Sequence, residues 1–239
     1  AKELLILLNV DKTVFDRIDE KKQVLDAYCE TVKHTISGEK VNVRCDELCS
    51  ILDSMGDWIG EHIRTTEWTT DKDGDGWFNG YYDNSGNAVE GDFPTGIRMM
   101  LTGQVFTVMA DVATDEQVVA IAKSADKYLY DEAIGGYRLN TDLGRLFGFA
   151  FGHKENGAVF SHMATMYANS LYHRGYAKEG YKVINSLFKH CDNYSKSGIY
   201  PGIPEYVSQR GRGMYHYLTG AASWMLLTVL NEMYGVKGE

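Results

Sequence analysis

Among 239 residues there are only three prolines, at 94, 201 and 204, and four cysteines, at 29, 45, 49 and 191. The prolines fall between periodic segments, where they interrupt no helix. The cysteines form neither a CxxC pair nor a disulfide framework, so they read as free thiols of a reducing, cytoplasmic protein. No apolar run approaches the ~20 residues that a membrane span requires. The opening AKELLILLNV has no basic flank and no small-residue cleavage site, so it does not read as a secretory signal. Positive charge is scarce too: 24 Lys and Arg stand against 33 Asp and Glu, for a net charge of −9, and the basic residues are scattered. Without a basic stripe to neutralise phosphates, a nucleic-acid partner is excluded as a working idea. There is no HExxH, no GxxxxGK[ST], no GxGxxG turn after a strand and no identifiable Ser-His-Asp order.

Helical periodicity dominates what remains. DELCSILDSMGDWIGEHIR places Leu48, Ile51, Leu52, Met55, Ile59 and Ile63 on one face. ATDEQVVAIAKSADKYLYD opens with a capping box, Thr114 and Gln117, and lines up Val118, Ile121, Ala125 and Leu129. Further helices are expected near 20–37, 96–112, 157–174, 176–189 and 215–234, the last with Ala221, Trp224, Met225 and Thr228 at helical steps. GGYRLNT (135–141) and GFAFGH (148–153) read as short extended pieces in loops. No linker and no internal repeat divides residues 1–239, which read as one all-α domain. Helices joined by long loops suggest an α/α barrel, of which this chain is long enough for about half. A start without Met inside a helical pattern, and an end at GVKGE, read as an excised piece of a longer polypeptide.

Four polar segments interrupt the helices. In DKDGDGWFNGYYDN (71–84), Asp71, Asp73, Asp75 and Gly76 imitate the first half of an EF-hand loop, but its twelfth position is Tyr82 rather than the bidentate Glu that Ca²⁺ needs. The first half therefore reads as a turn. The second half groups Trp77, Phe78, Tyr81 and Tyr82 around Asn79, Asp83 and Asn84. Aromatic faces among amides and a carboxylate suit a sugar, and an aspartate desolvated by rings would keep its proton as a general acid. A surface loop with a structural aromatic cluster fits these residues as well.

GHKENGAVFSH (152–162) gathers His153, Lys154, Glu155, Asn156 and His162 at the start of a helix, where free N–H groups attract anions. RGRGMYHYLTGAASW (210–224) sets Thr219 and Gly220 at another helix start, with Arg210 and Arg212 upstream. PGIPEYV (201–207) offers Glu205 and Tyr206 on a proline-fixed loop. The residues alone thus imply a helical domain with an aromatic, carboxylate-bearing cleft and an anion site.

Taken together, GHKENGAVFSH, YLTGAASW and WFNGYYDN resemble glycoside hydrolase family 94, the glycoside phosphorylases. GRLFGFAFGHKENGAVFSHMATMYANSLY and WFNGYYDN are similar to its 1,2-β-oligoglucan phosphorylase branch. The resemblance implies a multidomain enzyme with an (α/α)6 catalytic barrel, of which this chain is the C-terminal half. It also implies phosphorolysis of β-glucosidic bonds with inversion, giving α-glucose 1-phosphate, with inorganic phosphate as co-substrate and no metal or organic cofactor. By position, Asp83 matches the catalytic acid and Tyr81 stands where relatives place a sugar-stacking Trp. WFNGYYDN is looser than the family's D-W-N-D string, which leaves Asp73 and Asp75 open as acids. Lys154 and Glu155 match acceptor-sugar positions, to which Glu205 is added. His162, Thr219 and Gly220 match the phosphate-binding residues, and the family's phosphate arginine belongs to the missing half. One acid and an anion site suit a phosphorylase better than an inverting hydrolase, which needs a second carboxylate to activate water. A phosphorylase-like domain of a cyclic β-1,2-glucan synthase and a non-catalytic carbohydrate-binding fragment are the competing expectations.

Overall fold

A computed structural model describes residues 3, 8, 10–200, 202–216 and 219–238. Most of the opening decapeptide, Pro201 and residues 217–218, which belong to segments singled out above, lie outside the described residues. The chain forms two compact units, residues 1–63 and residues 64–239.

The first unit contains a 3-10 turn (Lys12–Asp16), helix α1 (Ile18–Val32) and most of helix α2 (Cys45–Thr66). Asp11 caps the turn by accepting from the Thr13 N–H at 3.0 Å. Lys12 ties the turn to α2, donating to the Ser54 carbonyl at 2.9 Å and hydroxyl at 2.6 Å. Further along α2, His62 stacks on Trp58 and lies 3.2 Å from the Asp16 carboxylate. The apolar stripe expected on α2 is present, yet no residue of the helix is buried, and Leu52 and Ile59 remain exposed.

The second unit holds α3 (Leu101–Met109), α4 (Asp115–Tyr128), α5 (Ser161–His173), α6 (Ala177–Asp192), a single turn α7 (Tyr194–Ser197) and α8 (Gly220–Leu227), which continues as a π-helical turn (Thr228–Met233). Helix α5 packs against α3, α6 and α8. It buries Ala164, Thr165, Tyr167, Ala168, Ser170 and Leu171, so it is covered nearly all round, as a central helix must be. Its buried hydroxyls return to their own backbone: Thr165 donates to the Ser161 carbonyl at 3.0 Å and Ser170 to that of Tyr167 at 2.8 Å. Helix α6 turns Val183, Ile184 and Leu187 inward and leaves Tyr181 and Phe188 exposed. Gly180 lets the two helices approach, because a Cβ there would meet the Tyr172 ring at 2.6 Å. The capping box of α4 forms as its sequence implies, with both reciprocal bonds between Thr114 and Gln117.

Strands are short and antiparallel. β1 (Trp68–Thr70) pairs with β2 (Gly76–Phe78), β3 (Gly91–Phe93) with β4 (Gly96–Arg98), and β5 (Tyr130–Asp131) with β6 (Gly136–Tyr137). β7 (Val159–Phe160), β8 (Tyr206–Val207) and β9 (Gly213–Met214) make one three-stranded sheet. β4 and β7 take early residues of the segments expected to be helical from 96 and 157, so α3 and α5 begin later, and α8 begins only at Gly220 rather than at 215. The chain is largely helical, with these strands at the helix entrances. Cross-links join the entrances. The Leu101 N–H donates to the Leu139 carbonyl at 2.7 Å, that of Leu139 to Ala158 at 2.9 Å, and that of Ser161 to Glu205 at 2.9 Å.

The DKDGDG segment is the β1–β2 turn. Asp71 Oδ1 accepts from the N–H groups of Asp73 and Asp75, both at 2.8 Å. The Lys127 ammonium donates to all three carboxylates, Asp71 at 3.0 Å, Asp73 at 3.1 Å and Asp75 at 2.8 Å, and Lys123 pairs with Asp75 as well. A cation from α4 thus sits among the aspartates. The Tyr128 hydroxyl and then the Lys127 ammonium hold the Asp71 carboxyl far below the usual carboxylate range.

The strand after the turn is held by an amide. Gln104, fully buried on α3, accepts from the Phe78 N–H at 2.8 Å and donates to the Phe78 carbonyl at 2.8 Å, as a neighbouring strand would. Gln104→Ala should lower unfolding free energy by about 2–4 kcal/mol, the cost of unpaired polar groups in a dry core, measured by chemical denaturation. The Asp71 contribution has a sign: its folded pKa lies below the unfolded value, so the stabilisation is complete above pH ~4 and lost as pH falls. Lys127→Met should therefore depress the melting temperature more near pH ~7 than near pH ~3.

Candidate functional site

The four rings of WFNGYYDN separate. Trp77 and Phe78 are fully buried in the core, where Trp77 meets Tyr128 and Phe78 meets Trp68 edge to face. Only Tyr81 and Tyr82 face outward. Trp77 and Phe78 are therefore not part of a sugar-lining cluster, because strand β2 takes them inside. Asp83 is exposed, and its carboxylate closes the tip of the loop. Oδ1 accepts from the N–H groups of Ser85 and Asn87 at 2.8 Å each, and Oδ2 from the Asn87 amide at 2.9 Å. These bonds, those from Asn87 first, pull its pKa below the ordinary aspartate value. The expectation of a ring-desolvated aspartate with a raised pKa is corrected in the free chain: donors, not rings, surround it. Asp73 and Asp75, the alternative acids, are engaged by Lys127.

The base of this loop is buried and polar. Asn79 donates to Glu67 at 3.0 Å, and the Tyr82 hydroxyl donates to the same carboxylate. Glu90, 2% exposed, accepts from the Gly80 N–H at 2.8 Å and the Met100 N–H at 2.6 Å. Burial drives its pKa up to about 8, against the two N–H bonds and with help from nearby Glu67.

The GHKENG loop is organised by asparagines. Asn156, fully buried, donates to the carbonyls of Gly144 and Phe149 at 2.8 and 2.9 Å and accepts from Asn140 at 3.1 Å. Asn140 accepts in turn from the Gly157 N–H at 2.8 Å. Asn156 is thus a scaffold residue. Gly157, at φ +69°, has no room for a side chain, because the Phe151 ring would lie 2.0 Å from its Cβ. This frame forces Lys154 into a left-handed conformation, φ +48°, at a cost of ~1–2 kcal/mol. The Lys154 ammonium lies 4.6 Å from the centroid of the Tyr215 ring and 5.7 Å from that of Phe149. Burial works against its charge, but Tyr215, Glu205 and Glu155 outweigh this and raise its pKa. Glu155 and Glu205 each keep one buried carboxylate oxygen without a partner among the described residues. Lys154, Glu155 and Glu205 come together as the sequence suggested, with Tyr215 added. His153 stays exposed at the edge of the loop.

The third part joins motifs far apart in sequence. His162 lies in the first turn of α5, and its ring rests on Gly220, the first residue of α8; a Cβ at Gly220 would sit 2.5 Å from ring Cε1. Thr219 caps α8, its hydroxyl accepting from the Ala221 N–H at 3.3 Å. Beside His162, the buried Ser161 hydroxyl has no partner among the described residues. Two helix N-termini, an imidazole and hydroxyls make a donor-rich cradle suited to an anion. Arg210 and Arg212 are exposed, and the Arg212 guanidinium packs against Gly198.

Glu90, Asn140, Ser161 and Tyr215 were not singled out from sequence. NAVEGD reads as an ordinary polar loop, and nothing local marks a buried glutamate. A cavity of about 300 Å³ between α6 and α8 is lined by Tyr181, Phe188, Met225 and Val229 and lacks charged groups, so it is separate chemistry.

Comparison with known proteins places the chain in a family. A family model described as "Glycosyl hydrolase 94 superfamily, catalytic domain" matches residues 44–235. The chain is 24% identical over 210 residues to a solabiose phosphorylase of Paenibacillus borealis, covering 81% of this chain and 26% of that protein. It is 24% identical over 160 residues to a cellobionic acid phosphorylase of Neurospora crassa, covering 59% of this chain and 20% of that protein. The chain thus spans about a quarter of the length of the curated relatives it matches. With residues 44–235, most of its length, matched by that model, the chain belongs to the glycosyl hydrolase 94 superfamily, within its catalytic domain.

Proposed function

We propose that this chain is part of a cytoplasmic, inverting glycoside phosphorylase, forming the C-terminal half of an (α/α)6 barrel in a larger multidomain polypeptide. Its substrates are β-gluco-oligosaccharides, β-1,2-linked on the WFNGYYDN and KENG likenesses, and inorganic phosphate. The carrying observation is the seat of the His162 ring on Gly220, which unites the two anion motifs.

In this reading, phosphate is held by His162, the Thr219 hydroxyl and the Gly220 N–H. It attacks the anomeric carbon from the face opposite the leaving oxygen. Asp83 gives its proton to that oxygen as the glycosidic bond breaks, so the product is an α-glucose 1-phosphate. Tyr81 stacks on the sugar, and Lys154, Glu155 and Glu205 take hydroxyls of the leaving sugar. No water-activating base is needed, because phosphate arrives as a charged nucleophile. The ionised state of free Asp83 suits the reverse, synthetic direction, in which it accepts the acceptor's proton. For phosphorolysis, docked sugar must strip water from it and raise its pKa.

Incubating the whole protein with β-1,2-gluco-oligosaccharides should release glucose 1-phosphate only when inorganic phosphate is present. Free glucose without phosphate would instead mean hydrolysis. Asp83→Asn should cut phosphorolysis by at least ~10³-fold while phosphate affinity stays within about twofold; near-normal turnover would move the acid elsewhere. Gly220→Ala should displace the His162 ring, weaken phosphate binding by roughly tenfold or more and leave the melting temperature nearly unchanged, as read by calorimetry.

A further inference from the structure

The loop that presents Asp83, between the buried Asn79 and Glu90, is exposed over most of its length and held within itself only by one antiparallel bridge, Tyr82 to Ala88, and a few backbone bonds such as Val89 N–H to the Tyr81 carbonyl at 2.9 Å. An acid that must meet one glycosidic oxygen cannot wander, since a misplacement of about 1 Å can cost roughly two orders of magnitude in rate. Something must fix the loop at its base. One buried carboxyl group, on the residue that ends the loop, joins the loop's start to the start of α3. Glu90 Oε1 accepts from Gly80, where the loop leaves β2, and Oε2 accepts from Met100, the residue before α3. The Glu90 N–H donates to Asn79 Oδ1 at 3.1 Å, closing the loop upon itself. Gly80 also lies against Gly103 of α3, so closely that a Cβ added to Gly80 would stand 3.5 Å from the Gly103 Cα. Met100 is joined through its neighbours to the strand before the KENG loop: the Met99 N–H donates to Thr141 Oγ1 at 3.0 Å, and that of Thr141 to the Met99 carbonyl at 3.0 Å.

We propose that Glu90 is a positioning residue: its carboxyl group clamps residues 79–90 to the start of α3 and so sets where Asp83 stands relative to the sugar and phosphate groups. The positional half of this proposal rests on the reading of Asp83 as the acid; the clamp itself does not. Glu90 touches no substrate. Among the described residues the charged group facing it is Glu67, across Asn79, which disfavours ionisation, and burial keeps the carboxyl neutral up to about pH 8. A neutral carboxyl still accepts on both oxygens, whereas a carboxamide turns a donor toward one of the two N–H groups. Glu90→Gln therefore keeps the volume and the charge state but breaks one arm of the clamp.

The test compares the whole wild-type protein with Glu90→Gln in three measurements. Amide hydrogen exchange should accelerate at least ~10-fold at Gly80, Met100 and the intervening loop, while Phe78, held by Gln104, stays protected. The kcat for phosphorolysis should fall at least ~10-fold with the KM for phosphate within about twofold. Stability of the wild type should also decline by one proton's slope between pH ~4.3 and about 8, because the unfolded chain releases a proton that folded Glu90 retains, and the variant should lack that slope. Unchanged exchange in the variant overturns the clamp. Accelerated exchange with unchanged kcat overturns the positioning role. If the wild type shows no phosphorolysis, the functional reading falls on its own, and the exchange arm decides the clamp.

Discussion

Backbone that forms no ladder must still pair its N–H and C=O groups, and this constraint shapes every part of the site. The loops between helices carry the chemistry, yet their strands are two or three residues long. Buried side chains supply the missing partners. Gln104 pairs with Phe78 as a strand would, Asn140 and Asn156 hold the KENG loop, and Glu90 ties the start of the Asp83 loop to the start of α3. Remove these amides and carboxyls, and the loops they hold lose their fixed origin.

Carboxylates are handled in four different ways, and the differences separate scaffold from site. Asp71, Asp73 and Asp75 share the Lys127 ammonium and make a turn. Asp83 is satisfied by donors of its own loop and stays ionised in the free chain. Glu90 is too deeply buried to ionise readily. Glu155 and Glu205, beside the Lys154 ammonium, keep buried oxygens unpartnered among the described residues. Unpaired buried oxygens are costly, so they persist where a ligand's hydroxyls can complete them. The strained backbone of Lys154 and Tyr215, both at positive φ, falls in the same place.

The anion cradle follows from helix geometry. α5 and α8 pack together, so their N-termini and the free N–H groups there lie side by side. Gly220 is required because the His162 ring occupies the space a side chain would fill. A phosphorylase needs such a cradle where a hydrolase needs a second carboxylate, and the proposed reaction follows from that contrast.

Helix type, the Thr114–Gln117 capping box and the inward face of α4 were legible in the chain, because they depend on local periodicity and on contacts three or four residues apart. That His162 and Thr219–Gly220 stand at helix starts was legible too. The helix starts near 96 and 157 were misplaced, since short strands take early residues of those segments, one in a hairpin with residues 91–93 and one with the distant residues 206–207. The placing of Trp77 and Phe78 in the core, the lowered pKa of Asp83 and the burial of Glu90 were not legible either: each depends on which long-range neighbour covers the residue. Sequence by itself determined the helices, the family and the residue types of the site. Tertiary structure alone decided which rings face solvent, which carboxyls carry charge and which helix ends meet, because burial and pairing are properties of contacts between segments that no local pattern encodes.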